Sequence, residues 1–254
     1  LSLRLYGSWR TTESLEIASV AFRSLLPEEL RAIEESNAYI DTVLPPRRYP
    51  VLDSFLPFGV SMNAATVEQL ANLLDISFFD YWRLALEDVA RHHHNCVVVE
   101  AMQALNHENR RVLLDLAENF GLRLVPTFDW AMDDFAKEGD ALVEEHIAPY
   151  ADSQAILAWN IQNAPLGRHL RAFLDARDKV AAVDKNHPLL IHTRQADTFP
   201  LFAPHFAASG FSYFKSGVPW QLGDTIRTHL PLSGGQQFWV AAPTFVYASD
   251  APEW

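Results

Sequence analysis

The sequence is poor in the features that most often disclose a function at sight. It has a single cysteine, Cys96, which excludes an internal disulfide framework. None of its apolar runs approaches the roughly 18 to 20 residues needed to cross a bilayer. Basic residues are scarce, 20 Lys and Arg against 32 Asp and Glu, and the formal net charge of −12 argues against nucleic acid or an anionic membrane surface as the main partner. Sequence patterns for a zinc hydrolase (His-Glu-x-x-His), a cysteine-ligated metal, a Gly-rich phosphate loop or a Gly-x-Ser-x-Gly elbow are missing. A starting Met and a signal peptide are missing too. The chain opens in LSLRLYGSW and stops at PEW, neither of which reads as a natural terminus, so a segment of a longer protein is expected.

What is present is an ordinary globular composition, 49% apolar and 20% charged, over 254 residues. That length suits one large core, and about 250 residues is the usual size of a (β/α)8 barrel. From residue 55 onward short apolar runs alternate with helical patterns, the signature of βαβ units and a parallel sheet. Strands are expected at 55–62, 96–101, 122–128, 155–160, 188–193, 211–215 and 237–244. A polar stretch follows the first. Helical spacing then recurs at 78–94, 107–120 (capped by Asn106 and ended by Gly121), 133–148, 167–184, 197–208 and 221–230. The run CVVVEAM, 96–102, suits a strand buried on both faces.

Residues 1–50 do not fit this alternation. LSLRLYG and LEIASVAF read as strands, 27–43 as a helix opening on Pro27-Glu28-Glu29, and Pro45-Pro46-Arg47-Arg48 as a linker. The expected organisation is therefore 1–50 as the edge of a preceding β-rich region with its helix and linker, and 51–254 as the barrel. Seven strands are visible in that barrel and the eighth unit is missing.

Parallel α/β folds place their sites at the carboxyl ends of the strands. Reading each strand to its end yields Asn63, Glu100, Asp129 with Trp130, Asn160 with Asn163, His192 with Arg194, and Lys215. Six polar or charged strand ends exceed what a purely structural barrel requires. His92-His93-His94 looks like a metal tract, but consecutive helical residues point in different directions, and the position suits a helix C-terminus where His complements the dipole. No metal or other cofactor is expected. The seven Trp suit stacking on sugars as well as core packing, with Trp130, Trp159 and Trp220 at or just after strand ends.

Residues 155–166, AILAWNIQNAPL, lead from an apolar run through Trp159-Asn160 into Asn163-Ala164-Pro165. This resembles the fourth strand of the clan A glycoside hydrolases, (β/α)8 barrels that include β-galactosidases and cellulases. The order Leu56-Pro57-Phe58-Gly59 at strand one, Asn95 before strand two, and strand seven add to the likeness, which covers roughly 55–254. The resemblance implies a TIM barrel and an oligosaccharide or polysaccharide partner. It also implies an Asn-Glu-Pro strand end, in which Asn binds the sugar 2-hydroxyl and Glu is the general acid/base. Here the Glu position is Ala164, and strand seven contains no acid. Retaining glycosidases need two carboxyl groups about 5 to 5.5 Å apart, so both expected positions lack their carboxylate.

Glu100 and Asp129, at neighbouring strand ends, are the replacement acid/base candidates, against the alternative that Glu100 pairs with Lys215 or Arg194. Asn160, Asn163, His192, Arg194, Lys215, Trp130 and Trp220 are the candidate sugar-positioning residues. The leading expectation is a glycoside hydrolase-like protein that hydrolyses or formerly hydrolysed O-glycosidic bonds, in an extracytoplasmic setting and alongside adjoining domains. The alternatives are a non-catalytic carbohydrate-binding or scaffold module, and a lyase or aldolase using Lys215 as an amine nucleophile.

Overall fold

In the computed structural model, residues 24, 26–161, 169–193, 198–212 and 219–241 are described. The chain divides into two compact units, Leu1–Thr42 and Val43–Trp254. The described part of the first is helix α1 (Pro27–Asp41), with Pro27 in its first turn and the Glu29 carboxylate accepting from the Leu26 amide at 2.7 Å. Both strands expected before it lie outside the described residues.

The second unit alternates strand and helix. Its elements are α2 (Pro50–Asp53), β1 (Gly59–Asn63), α3 (Ala64–Leu73), α4 (Phe78–Arg91), β2 (Cys96–Glu100), α5 (His107–Asn119), β3 (Arg123–Pro126) and α6 (Met132–His146). They continue with β4 (Trp159–Asn160), α7 (Leu170–Val183), β5 (Leu189–Thr193), α8 (Phe199–Phe202), β6 (Ala208–Ser212), α9 (Pro219–His229) and β7 (Gln237–Ala241). Every strand pairing is parallel, in the sequential orders β1-β2-β3 and β4-β5-β6-β7. Single parallel bridges, Leu124 with Ile156 and Thr127 with Asn160, join the two sheets. Among the described residues this is one mixed α/β array of seven parallel strands in chain order. The antiparallel sandwich and the doubly wound order are thereby excluded.

Helices form where local chemistry starts them. Asn63, Ser77 and Asn106 each accept a hydrogen bond from the amide three residues on, at 3.1, 3.0 and 2.8 Å. α3 falls in the stretch that reads as polar in the sequence, because its buried stripe, Ala64, Val67 and Ala71, is too small to stand out. The helix expected over 197–208 is a four-residue turn of helix followed by a 3₁₀ turn at Ala203–His205. The sixth strand sits three residues earlier than the aromatic run suggests. Its small residues can approach the neighbouring strands closely: a Cβ on Gly210 would stand 2.7 Å from the Trp239 carbonyl oxygen and 3.1 Å from His192.

One core unites the array. Cys96, Val125, Leu157, Ala158, Leu190 and Ala208, contributed by or just before strands β2 to β6, pack with Tyr49 and Leu52, while Val98 and Trp239 pack against them. This single cluster is touched by β2 through β7. Residues Tyr49 to Asp53 form the floor at the amino ends of the strands, where Gln237 Nε2 donates to the Leu52 carbonyl. The opposite face of the sheet meets the helices, with Val97, Val99, Leu124 and Ile191 fully buried, so both faces of these strands are covered.

Two polar clips secure the frame. Asn95 accepts from the Phe58 amide at 2.8 Å and donates to the Leu56 carbonyl at 2.9 Å, fastening the lead-in of β1 beside β2. Asp184, fully buried, accepts from Trp159 Nε1 at 2.7 Å and pairs with His187 Nδ1 at 2.9 Å. Burial alone would raise the Asp184 carboxyl, but the His187 and Trp159 bonds outweigh it and hold the group below the usual carboxylate range.

Gly59 permits the β1–β2 approach, since an added Cβ would collide with the Cys96 carbonyl. The variant Gly59→Ala is expected to lose roughly 3 kcal/mol, or roughly 6 to 12 °C in Tm, in a thermal melt. Burial pushes the Cys96 thiol up to about 12. In the native protein at pH 8 it therefore resists iodoacetamide and reacts only once urea unfolds the chain, as mass spectrometry of the adduct would show.

Candidate functional site

Alternation along each strand decides which side chains rise from the shared core. Two residues beyond the core members Val98, Val125, Ala158, Leu190 and Ala208 lie Glu100, Thr127, Asn160, His192 and Gly210 on the same inner face, all but Gly210 at or near the carboxyl end. Ser61 of β1 joins them, its Oγ donating to Glu100 Oε1 at 3.0 Å. The strand ends thus present a polar surface above an apolar floor.

The two candidate carboxylates are set by adjoining loops. Ala101, immediately after Glu100, has φ 55°, a left-handed backbone that a non-glycine residue adopts at some conformational cost. This bend starts a 3₁₀ turn, Met102–Ala104, whose Met102 amide donates to the Thr127 carbonyl at 3.0 Å while the Thr127 amide donates to Val99 at 2.8 Å. Gln103 Oε1 then accepts from the Asp129 amide at 3.2 Å. Glu100 is half-buried, and Asp129 is exposed just beyond the end of β3.

The other expected residues divide. His192 is half-exposed on the inner face beside Gly210. Asn160 is 1% exposed, its amide donating to Thr127 Oγ1 at 3.3 Å, which makes it a strut beneath the site. Asn63 caps α3. Trp130 is 8% exposed and stacked on Phe128 at 4.4 Å, with Phe135 and His146 beside it. Neighbouring rings cover most of Trp130. Trp159 faces the helices, bound to Asp184. Trp220 lies in the first turn of α9. Asn163, Ala164, Arg194 and Lys215 lie outside the described residues. Of the His tract, His92 turns back to the Asp88 carbonyl at 2.9 Å and His94 stacks on Phe58 at 4.7 Å, so the two side chains engage different partners.

Similar solved structures are glycoside hydrolases. A GH2 β-galacturonidase from Eisenbergiella tayi, solved bound to galacturonate, matches with a TM-score of 0.50 at 12% identity, over 64% of this chain and 31% of its own. The fold is glycoside hydrolase-like. A β-glucuronidase from Ruminococcus gnavus gives a TM-score of 0.49 at 13% identity, over 74% of this chain and 34% of its own. A GH10 endoxylanase retrieved from a sugarcane soil metagenome also gives 0.49 at 13% identity, over 76% and 68%. The chain spans about a third of the length of the first two. Comparison of the sequence with protein-family models and with curated proteins yields no match.

Sequence reasoning overlooked four residues that shape this rim: Ser61, Gln103, Arg110 and His146. Arg110 is 5% exposed, its Nε donating to the Met102 carbonyl at 3.3 Å and its Nη1 to His146 Nδ1 at 2.6 Å. The overlooked signal was its place on the apolar stripe of α5 with Leu113, Leu114 and Ala117, where a charge is out of pattern. Burial and then the Arg110 charge push the His146 imidazole below its ordinary value.

Replacing the Asn160 acceptor tests the layer under the rim. Thr127→Val should destabilise the fold by about 1–3 kcal/mol in urea titration, since a buried amide loses its partner while shape is kept.

Proposed function

We propose that the chain is a glycoside hydrolase-like module that holds an oligosaccharide or polysaccharide at the carboxyl ends of its strands, with hydrolysis lost or much reduced. The observation that carries this reading is the polar inner face of Ser61, Glu100, Thr127, Asn160 and His192, gathered above an apolar floor in a glycoside hydrolase-like fold. The array is read as a (β/α)8-type barrel of a carbohydrate-related protein.

Hydrolysis with retention requires a proton donor for the leaving oxygen and a carboxylate nucleophile. Ala164 offers neither, and β7 carries no acid. Glu100 and Asp129 are the carboxylates available nearby, Glu100 half-buried and held by Ser61, Asp129 open to solvent. In a catalytic version of this site they divide the acid and base work, while Asn163, His192, Arg194, Lys215 and Trp220 position the sugar. The specific feature that favours a binding module is Ala164.

Calorimetry against uronic-acid-containing and neutral oligosaccharides, paired with aryl-glycoside assays, tests the reading. The expected result is binding without retaining turnover. General acid–base assistance is typically worth about 10²- to 10⁴-fold, and loss of the nucleophile removes the covalent route as well. Ala164→Glu should not create strong activity, because the seventh strand still lacks its acid. Robust hydrolysis by the unmodified chain would overturn the loss of catalysis and direct attention to Glu100 and Asp129. Failure of the whole oligosaccharide panel to bind would overturn the glycan reading.

A further inference from the structure

Arg110 is an unusual buried charge. It donates to the Met102 carbonyl at 3.3 Å, the Gln103 carbonyl at 3.5 Å and His146 Nδ1 at 2.6 Å, and among the described residues no carboxylate stands within ion-pair distance of it. A guanidinium can only donate. His146 Nδ1 must therefore accept, which requires the neutral ring with its proton on Nε2. Protonation of His146 would turn that acceptor into a second donor and set an imidazolium against a guanidinium.

The consequences run to the rim. The two carbonyls that Arg110 holds belong to the 3₁₀ turn that follows the left-handed Ala101, and the Gln103 side chain of that turn holds the Asp129 amide at 3.2 Å. One titratable ring thus sits at the start of a bonded chain that ends at a candidate site residue. We infer that His146 is an acid-released latch on the 101–105 turn and on the segment that carries Asp129.

The groups facing the ring support a latch that opens on acid. Arg110 of α5 opposes protonation. Glu145, on the ring's own helix, stands 3.7 Å from Nε2 and favours it, but that carboxylate is largely exposed and so acts through solvent. Phe128 and Trp130 present only rings, at 5.9 and 5.5 Å. The Tyr150 hydroxyl, bonded to His107 at 2.7 Å, also stands beside Arg110 and accepts from it, a further neutral partner of the guanidinium. The His146 imidazole is 14% exposed, enough for proton exchange with solvent. Because its folded-state value lies below the ordinary one, the latch is fully closed above about 6.5 and weakens as the pH falls through the depressed value.

As a control over ligand access, this inference rests on the glycan-site reading; as a property of the turn, it does not. The test is amide hydrogen exchange on the full chain at pH 7.5 and 5.0, with protection factors corrected for intrinsic rates. Protection at 101–105 and 128–131 should fall at pH 5.0 relative to the amides of β2 and β5. In His146→Asn, whose Oδ1 can still accept from Arg110 but does not titrate, that loss should vanish. An equal loss in both proteins, or none in the wild type, overturns the latch. A second readout needs no variant: imidazole NMR of the wild type should show His146 neutral at pH 6.5 in the Nε2–H form, and an Nδ1–H form there would also overturn it. Oligosaccharide affinity measured across the same range separates the two ideas. Acid-dependent opening with no glycan bound at any pH removes the glycan reading and leaves the latch standing.

Discussion

The register of β2 between β1 and β3 is the constraint on which the rest of the site depends. Pairing of Asn63 with Glu100 on one side and Val99 with Pro126 on the other sends Cys96, Val98 and Glu100 inward and Val97 and Val99 outward. A slip of one residue would turn Glu100 toward the helices and away from Ser61. Several independent contacts prevent that slip: the Asn95 clip at the start of β1, the close approach at Gly59, and the paired amide–carbonyl bonds between Val99, Thr127 and Met102 at the other end.

Stability and site chemistry occupy opposite ends of the strands. The amino ends hold the dense cluster around Tyr49 and Leu52, and Asp184 there is satisfied by Trp159, His187 and the amides of Asn186 and His187. Every polar atom of that carboxylate is engaged in structure. The carboxyl ends carry an exposed Asp129, a half-buried Glu100 and a half-exposed His192. Such a division lets the rim lose or exchange catalytic groups without unfolding the floor.

The rim is also coupled to the helical layer. Arg110, His146 and the aromatic stack of Phe128 and Trp130 lie behind the loops that follow β2 and β3, so the loop conformation depends on a buried cation whose partners are all neutral. A buried charge balanced by dipoles in place of a counter-ion is sensitive to any change in its acceptors.

Much of the architecture was legible in the sequence. The β-branched run at 96–99, the cap at Asn106 and the alternation of short apolar runs with helical spacing specify a parallel α/β array, because the period of burial is a local property. Glu100, Asp129 and His192 were legible as strand ends for the same reason. What periodicity could not decide was which strand-end group faces inward, which is exposed and which is covered. Trp130 reads as a ring at a strand end, yet Phe128 and Phe135 bury it; Asn160 reads as a sugar ligand, yet Thr127 holds it below the rim. Arg110 and His146 lie 36 residues apart and Gln103 and Asp129 lie 26 apart. Composition and spacing along the chain determined the layers and the polarity of the rim. Only tertiary packing, which sets neighbours across such separations, decided which polar groups are bonded within the fold and which stand exposed at the strand ends.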